Sequence, residues 1–419
     1  MGRYDDEVAA LARPMTDPGD LDGLLDRAAD ARVVMLGEAS HGTHEFYAWR
    51  AAITRRLIEE RDFSFVAVEG DWPECARVDA SVRGEPDAPD DPRDALLSFD
   101  RWPAWMWANE EVAGFCRWLR AHNSRLAPAA RVGFHGLDVY ALWESLREIL
   151  VYLREHDPDQ VPGALAAYRC FEPYDEDPNA YAWATRFVTA GCEPAVVETL
   201  AGLRAAAGRA AAARGEFGAG QYAEVVAGAE HYYRALLHGG AKSWNVRDRH
   251  LDDTLGRLLD HYGPGSKAVV WAHNTHVGDS RATDQARHGE VTIGELARDR
   301  YGDDQVLLVG FGCHRGGVVA APGWGALMAE MPVPPGRPGS IEEILHEGAP
   351  PRALMVFPPF RHRPDVLVDE VVQRAIGVVY QPDRERDNYV PTVLGDRYDA
   401  FLWFDETSGV RPLHTPPGS

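Results

Sequence analysis

The sequence predicts an α/β fold, a mostly parallel sheet flanked by helices, with a mostly helical insertion. Three observations carry this expectation. Short β-branched runs recur and end in glycine or polar residues, as strands buried on both faces do. An amphipathic helical stretch follows the first of them, setting a β-then-α rhythm. A central stretch then has few strand-like runs and is rich in strong helix formers.

The runs are Arg32–Leu36, Ser64–Val68, Arg131–Phe134, Lys267–Ala272, Gln305–Phe311 and Asp399–Phe404. They are short and alternate little, which fits strands without a solvated face. After the first run, Phe46, Trp49, Ile53 and Leu57 repeat at helical spacing and form one apolar stripe. Between about Tyr140 and Asp260 the composition shifts to Ala, Arg and Glu, and helices are expected at Ala201–Arg214 and Tyr222–Leu237. The division read from this is a first core part at 1–139, a helical insertion at 140–260 and a second core part at 261–419. Proline- and glycine-rich stretches at Pro86–Pro92, Pro322–Trp324 and Pro332–Gly339 mark loops.

A chain of 419 residues exceeds one compact core. Its net charge of −22 repels phosphate backbones and anionic lipid surfaces, so neither nucleic acid nor membrane is expected as a partner. A neutral or cationic small molecule meets no such barrier. The segment Met1 to Arg13 is polar and lacks an apolar leader core, and no run is long enough to span a bilayer. A cytoplasmic protein is expected. The five cysteines (Cys75, Cys116, Cys170, Cys192 and Cys313) are odd in number, scattered and without a CxxC pair. They are read as single buried thiols, not as a disulfide framework or zinc ribbon.

Ionisable residues concentrate at run ends. Gly37-Glu38-Ala39-Ser40-His41-Gly42-Thr43-His44-Glu45 follows the first run, and Glu69-Gly70-Asp71 closes the second. His135-Gly136-Leu137-Asp138 closes the third, and His273-Asn274-Thr275-His276 the fourth. In open α/β sheets, ligands bind at the carboxyl edge of the strands. If these strands are parallel neighbours, Glu38, His41, Glu69, His273 and His276 converge on one rim. Arg50 falls on the buried face of the following helix, where a guanidinium needs a carboxylate partner. It either organises the site through such a pair or touches substrate. Histidine titrates near neutrality, so His41 suits the removal of a proton from water. A carboxylate on the other ring nitrogen would fix the tautomer. Arg50, His273 or His276 could then hold a developing oxyanion.

These segments resemble the erythromycin esterase family, in particular its broad bacterial branch. The matching stretches are GEASHG with the helix bearing Arg50, VAVEGDW, RWPAWMW (Arg101–Trp107), WNVRDRHL (Trp244–Leu251), WAHNTHVGD (Trp271–Asp279) and RYDAFLWFDET (Arg397–Thr407). They cover nearly the whole chain in order. The resemblance implies an α/β core with a helical insertion, opening ester or lactone bonds without a serine nucleophile and without a metal. It assigns the water-activating base to His41. It further implicates Glu38, Arg50, Glu69, His273 and His276, and leaves the substrate open.

Asn274, between the paired histidines, and Arg247 and Trp105 are expected to meet substrate. The aromatic set Trp102, Trp105, Trp107, Phe115 and Trp118 either walls a cleft or belongs to the core. Arg247 and Asp248 are placed near the start of a helix, either closing the site or pairing with each other. No Gly-x-Ser-x-Gly elbow or phosphate-binding glycine loop is present. No cofactor is expected. A divalent metal on the His/Glu rim, and a binding protein without turnover, stand as the rival readings.

Overall fold

The computed structural model describes residues 2–174, 177–185, 192–207, 214–237 and 239–414. It divides into two compact units. The first combines Met1–Val68, Arg77–Phe134 and Gly265–Ser419, and the second combines Glu69–Ala76 with His135–Pro264.

The strands are β1 (Arg13–Pro14), β2 (Val33–Leu36), β3 (Phe65–Asp71), β4 (Gly133–Asp138), β5 (Ala268–Trp271) and β6 (Val306–Ala320). They continue with β7 (Ala329–Val333), β8 (Arg352–Val356), β9 (Glu370–Arg374), β10 (Tyr389–Val393) and β11 (Ala400–Thr407). Among the described residues, a nine-stranded sheet runs β1-β8-β11-β6-β2-β5-β3-β4, with β7 on β6. β9 and β10 form a separate antiparallel pair.

The sheet's centre is parallel: β2 lies between β5 and β6, β3 joins β5, and β11 joins β6. Antiparallel β8 and β1 finish that edge. The side chains of Val33–Leu36 and Ala268–Trp271 are all excluded from solvent, as a strand covered on both faces requires. The six foreseen runs thus form β2 to β6 and β11, and the α/β class holds. One expectation needs correction. Pro332 lies within β7, opposite Gly317 of β6, not in a loop. Proline donates no ladder hydrogen bond, so it is tolerated in such a border strand.

The helix His44–Arg61 buries Phe46, Tyr47, Arg50, Ile53, Thr54 and Leu57, and it stops where Asp62 turns left-handed at φ 58°. Trp49, on the predicted stripe, is half-buried and packs near Phe404.

The second unit is helical apart from the strand ends it contains. Leu142–His156, Val161–Phe171, Glu193–Ala207, Arg214–Leu236 and Ala241–Tyr262 are its longer helices. Leu142, Leu146, Ile149, Phe171, Val226 and Tyr233 are among the side chains that fill its core. The predicted helix at Ala201–Arg214 is helical through Ala207, and residues 208–213 lie outside the described ones. Two expectations fail in this unit. Cys170 and Cys192 form a disulfide, so only Cys75, Cys116 and Cys313 are single buried thiols. Packing of helices remote in sequence brought the two sulfurs together, which spacing alone does not reveal. Arg247 lies well inside Ala241–Tyr262, not at a helix start, because the helix begins six residues earlier. No described helix is long and apolar enough to cross a membrane.

Candidate active site

Register explains how the first unit assembles its ionisable groups. Leu36 is aligned with Trp271 on one side and Val309 on the other. The residues that follow Leu36 and Trp271 therefore leave the sheet together, and the Asn274 N–H donates to the Glu38 carbonyl at 2.8 Å. Gly37 permits this approach, since a Cβ there would collide with Asn274 Oδ1. Gly42 has φ 92°, and a Cβ on it would strike the Val319 carbonyl. The Gly42 carbonyl accepts N–H bonds from Val319 and Val410, both at 3.0 Å, and the His44 N–H donates to the Ser408 carbonyl at 2.8 Å. Glu45 accepts from the Ser408 N–H (2.8 Å) and hydroxyl (3.0 Å). The His41 loop is thus clamped between β6 and residues 408–410.

Within that loop Glu38 serves two partners. His41 Nδ1 lies 2.8 Å from Glu38 Oε1, and Arg50 Nη2 donates to Oε2 at 2.9 Å. Both Glu38 and Arg50 are fully buried. The guanidinium also lies over the rings of Tyr47 (4.2 Å) and Trp271 (5.2 Å). Arg50 is therefore a buried partner of Glu38. An ionised Glu38 can only accept, so His41 carries its proton on Nδ1 and presents a lone pair at Nε2.

His273 is held the opposite way. The Thr275 N–H donates to His273 Nδ1 at 3.3 Å, and the Thr275 hydroxyl lies 2.8 Å from the same nitrogen. Nδ1 accepts, which assigns the proton to Nε2. The His41 and His273 rings are 4.8 Å apart, centroid to centroid. One imidazole offers a base and its neighbour a donor. His276 is buried in the short helix Asn274–Val277.

The Asn274 amide donates to the Phe311 carbonyl at 2.7 Å and accepts from the Phe311 N–H at 3.3 Å, so it ties the turn to β6. Trp105, 2% exposed, packs against Gly42 and Trp102 and backs the loop. Trp107 and Phe115 are likewise buried, whereas Trp102 is half-buried beside the exposed Trp324. Beside the loop, His44 Nδ1 lies 2.8 Å from Glu111. The hydrogen bond to Glu111 raises the His44 pKa. Burial pushes Glu111 up, but its bonds to His44 and the Arg411 N–H outweigh that and leave it lowered.

The second unit holds the other charged cluster. Arg247 grips Asp138 through Nε (2.9 Å) and Nη2 (2.6 Å), and reaches Glu69 Oε1 from Nη2 at 2.7 Å. Tyr140 lies under the guanidinium at 5.1 Å. Burial would lower the Arg247 pKa, but Asp138, Tyr140 and Glu69 hold it well above the ordinary value. Arg247 pairs with these acids and not with Asp248 alone, as one reading had it. Asp138 went unassigned in the sequence, although it closes β4 and Glu69 lies near the end of β3. His250 in the same unit is fully desolvated, its pKa pushed down to about 3, and so stays neutral. Among the described residues, no three His, Cys, Asp or Glu side chains converge as a metal-ligand set.

A family model described as erythromycin esterase matches residues 58–407. An erythromycin esterase type II from Escherichia coli is 30% identical over 129 residues, 31% of this chain and only 28% of that protein's length. Among solved structures, a succinoglycan biosynthesis protein superposes with TM-score 0.81 at 17% identity, covering 99% of this chain and all of that one. A Bacillus cereus protein gives 0.82 at 18% identity, covering 99% of both chains. An erythromycin esterase variant in its open conformation gives 0.71 at 15% identity, covering 96% of this chain and 97% of that one. At these identities the likeness extends to the fold.

Proposed function

The chain belongs to the erythromycin esterase family, and on that premise we propose that it hydrolyses a carboxylic ester or lactone of a small molecule with water activated by His41. The family supports ester hydrolysis broadly. The bond cleaved and the residues that cleave it are our reading. One observation carries it: neighbouring imidazoles in complementary tautomers, His41 fixed by Glu38 and His273 fixed by Thr275.

In this mechanism His41 Nε2 takes a proton from water as the oxygen adds to the carbonyl carbon. The carbonyl oxygen gains negative charge and accepts a hydrogen bond from His273 Nε2–H, preorganised at no cost during the step. Collapse breaks the carbon–alkoxy oxygen bond, and the His41 imidazolium returns its proton to the departing alkoxide. A lactone opens to one hydroxy acid, and an open ester gives an acid and an alcohol. Glu38 stays ionised throughout, steadied by Arg50, and stabilises the imidazolium as it forms. Ser40, the nearest hydroxyl in sequence, is engaged with Thr43 at 2.5 Å and does not bond His41. Neither cofactor nor metal takes part in this scheme.

The experiment is a panel of lactones and esters incubated with purified protein, with products read by mass spectrometry. Hydrolysis adds the mass of one water to a lactone, whereas binding leaves the mass unchanged. His41→Gln should retain native circular dichroism and lose at least about a hundredfold in rate, within the usual contribution of a general base. A His41→Gln enzyme of undiminished rate would sink the assignment. Undiminished turnover after a chelator is expected as well.

A further inference from the structure

Arg397 closes the short helix Leu394–Arg397 in the first unit and is 1% exposed. Its guanidinium donates from Nη1 to Gln373 Oε1 and to Thr392 Oγ1, both at 3.1 Å, and from Nη2 to the Asn274 main-chain carbonyl at 3.3 Å. All three acceptors are neutral. Among the described residues no carboxylate forms an ion pair with Arg397. The other large buried guanidiniums differ: Arg50 rests on Glu38 and Arg374 on Glu385. A buried cation without a counter-charge is costly, and folds retain one where a nearby group benefits.

The chain makes room for this charge under the histidine turn. A Cβ on Gly278, which closes that turn, would run into Arg397 Cγ and Nε. The contacted carbonyl belongs to the residue after His273 and two before His276. Three acids near the turn already have arginine partners. Asp279 is held by Arg281 and Arg298, Asp399 by Arg298, and Glu38 by Arg50 beside His41. Tyr398, stacked by the guanidinium, is kept protonated by burial.

We propose that Arg397 is a positioning residue whose uncompensated charge, delivered at the Asn274 carbonyl, keeps the imidazoles of His273 and His276 neutral. A cation close to a histidine disfavours the imidazolium. His273 then remains an Nε2–H donor whose Nδ1 accepts from Thr275. This rests on the donor role proposed for His273 above, but its test does not depend on turnover.

The test is a ¹⁵N-histidine NMR titration of the full chain, with His273 and His276 assigned by substitution. Arg397→Gln removes the charge but keeps a donor for the carbonyl. Gln373→Glu instead neutralises the guanidinium in place with a near-isosteric side chain. Either should move the protonation midpoint of His273 or His276 upward by about 1 pH unit, and Arg397→Lys should return it to the parent value. Should Arg397→Gln not fold, Gln373→Glu decides alone. Unshifted midpoints in a folded neutral variant overturn the proposal, since a merely structural arginine would alter stability and leave these titrations in place. With p-nitrophenyl acetate as probe ester, the acid limb of the rate profile should move by the same interval. An NMR shift without any hydrolysis would refute the esterase reading and leave the role of Arg397 standing.

Discussion

The two units treat a buried arginine in different ways. In the first, Arg50 takes one oxygen of Glu38 and leaves the other for His41. In the second, Arg247 is shared between Asp138 and Glu69, so one cation faces two acids. One cation to one acid gives a neutral pair that can orient a titratable ring without moving its own proton. One cation to two acids gives a knot in which the arginine is the shared member. Residue type does not separate the two; stoichiometry does.

The sharpest way to break the contrast is Glu38→Gln. The amide nearly preserves shape but leaves Arg50 buried without a counter-charge, a loss of about 3–5 kcal/mol. It also removes the acceptor that sets the His41 tautomer, so stability in urea and turnover should fall together. Arg247→Met should destabilise by a similar or slightly smaller amount, about 3 kcal/mol. Its signature is partial recovery on acidification, as the acids that lose Arg247 take up a proton. If Arg247→Met were neutral at pH 7, the idea of an arginine-dependent knot would be lost.

Next in size is the covalent link, present only in the second unit. Reduction of Cys170–Cys192, or Cys170→Ser, should cost about 2–4 kcal/mol, as expected for a closed loop of 22 residues. The buried thiols Cys116 and Cys313 of the first unit, and Cys75 of the second, should resist alkylation until the chain unfolds. The smallest effect belongs to His44 and Glu111. The raised His44 pKa contributes stability that is complete below the ordinary histidine value of 6.5 and is lost as pH rises through the folded one. The lowered Glu111 pKa contributes above 4.5 and is lost as pH falls through its folded value. The pair therefore acts mainly between pH 4.5 and 6.5. His44 is partly exposed, so His44→Asn should cost below about 1 kcal/mol there and still less at pH 9. A constant difference across this range would show that the contact is packing alone.

Much of the sheet was legible because its central strands carry apolar side chains on both faces, a pattern local to each run. The proximity of Glu38 to His41 was legible for a similar reason, three residues of spacing after a strand end. What escaped the reading is non-local. Asp138 and Arg247 are 109 residues apart, and their pairing depends on where a helix begins. Cys170 meets Cys192 through helix packing. Arg397 reaches the Asn274 carbonyl across 123 residues, a hydrogen bond that no spacing announces. Pro332 marked a loop by composition but occupies a strand at the sheet's border, where a missing donor is tolerated.

The clamp on the His41 loop has a consequence for biosynthesis. His41 is translated long before residues 408–410, which close its loop. A nascent chain stalled before that point would carry Glu38, His41, Arg50, His273 and His276 and still lack the brace on the His41 loop. Competence would therefore arrive only once residues 408–410 have emerged, so that products truncated before them should be silent rather than partly active.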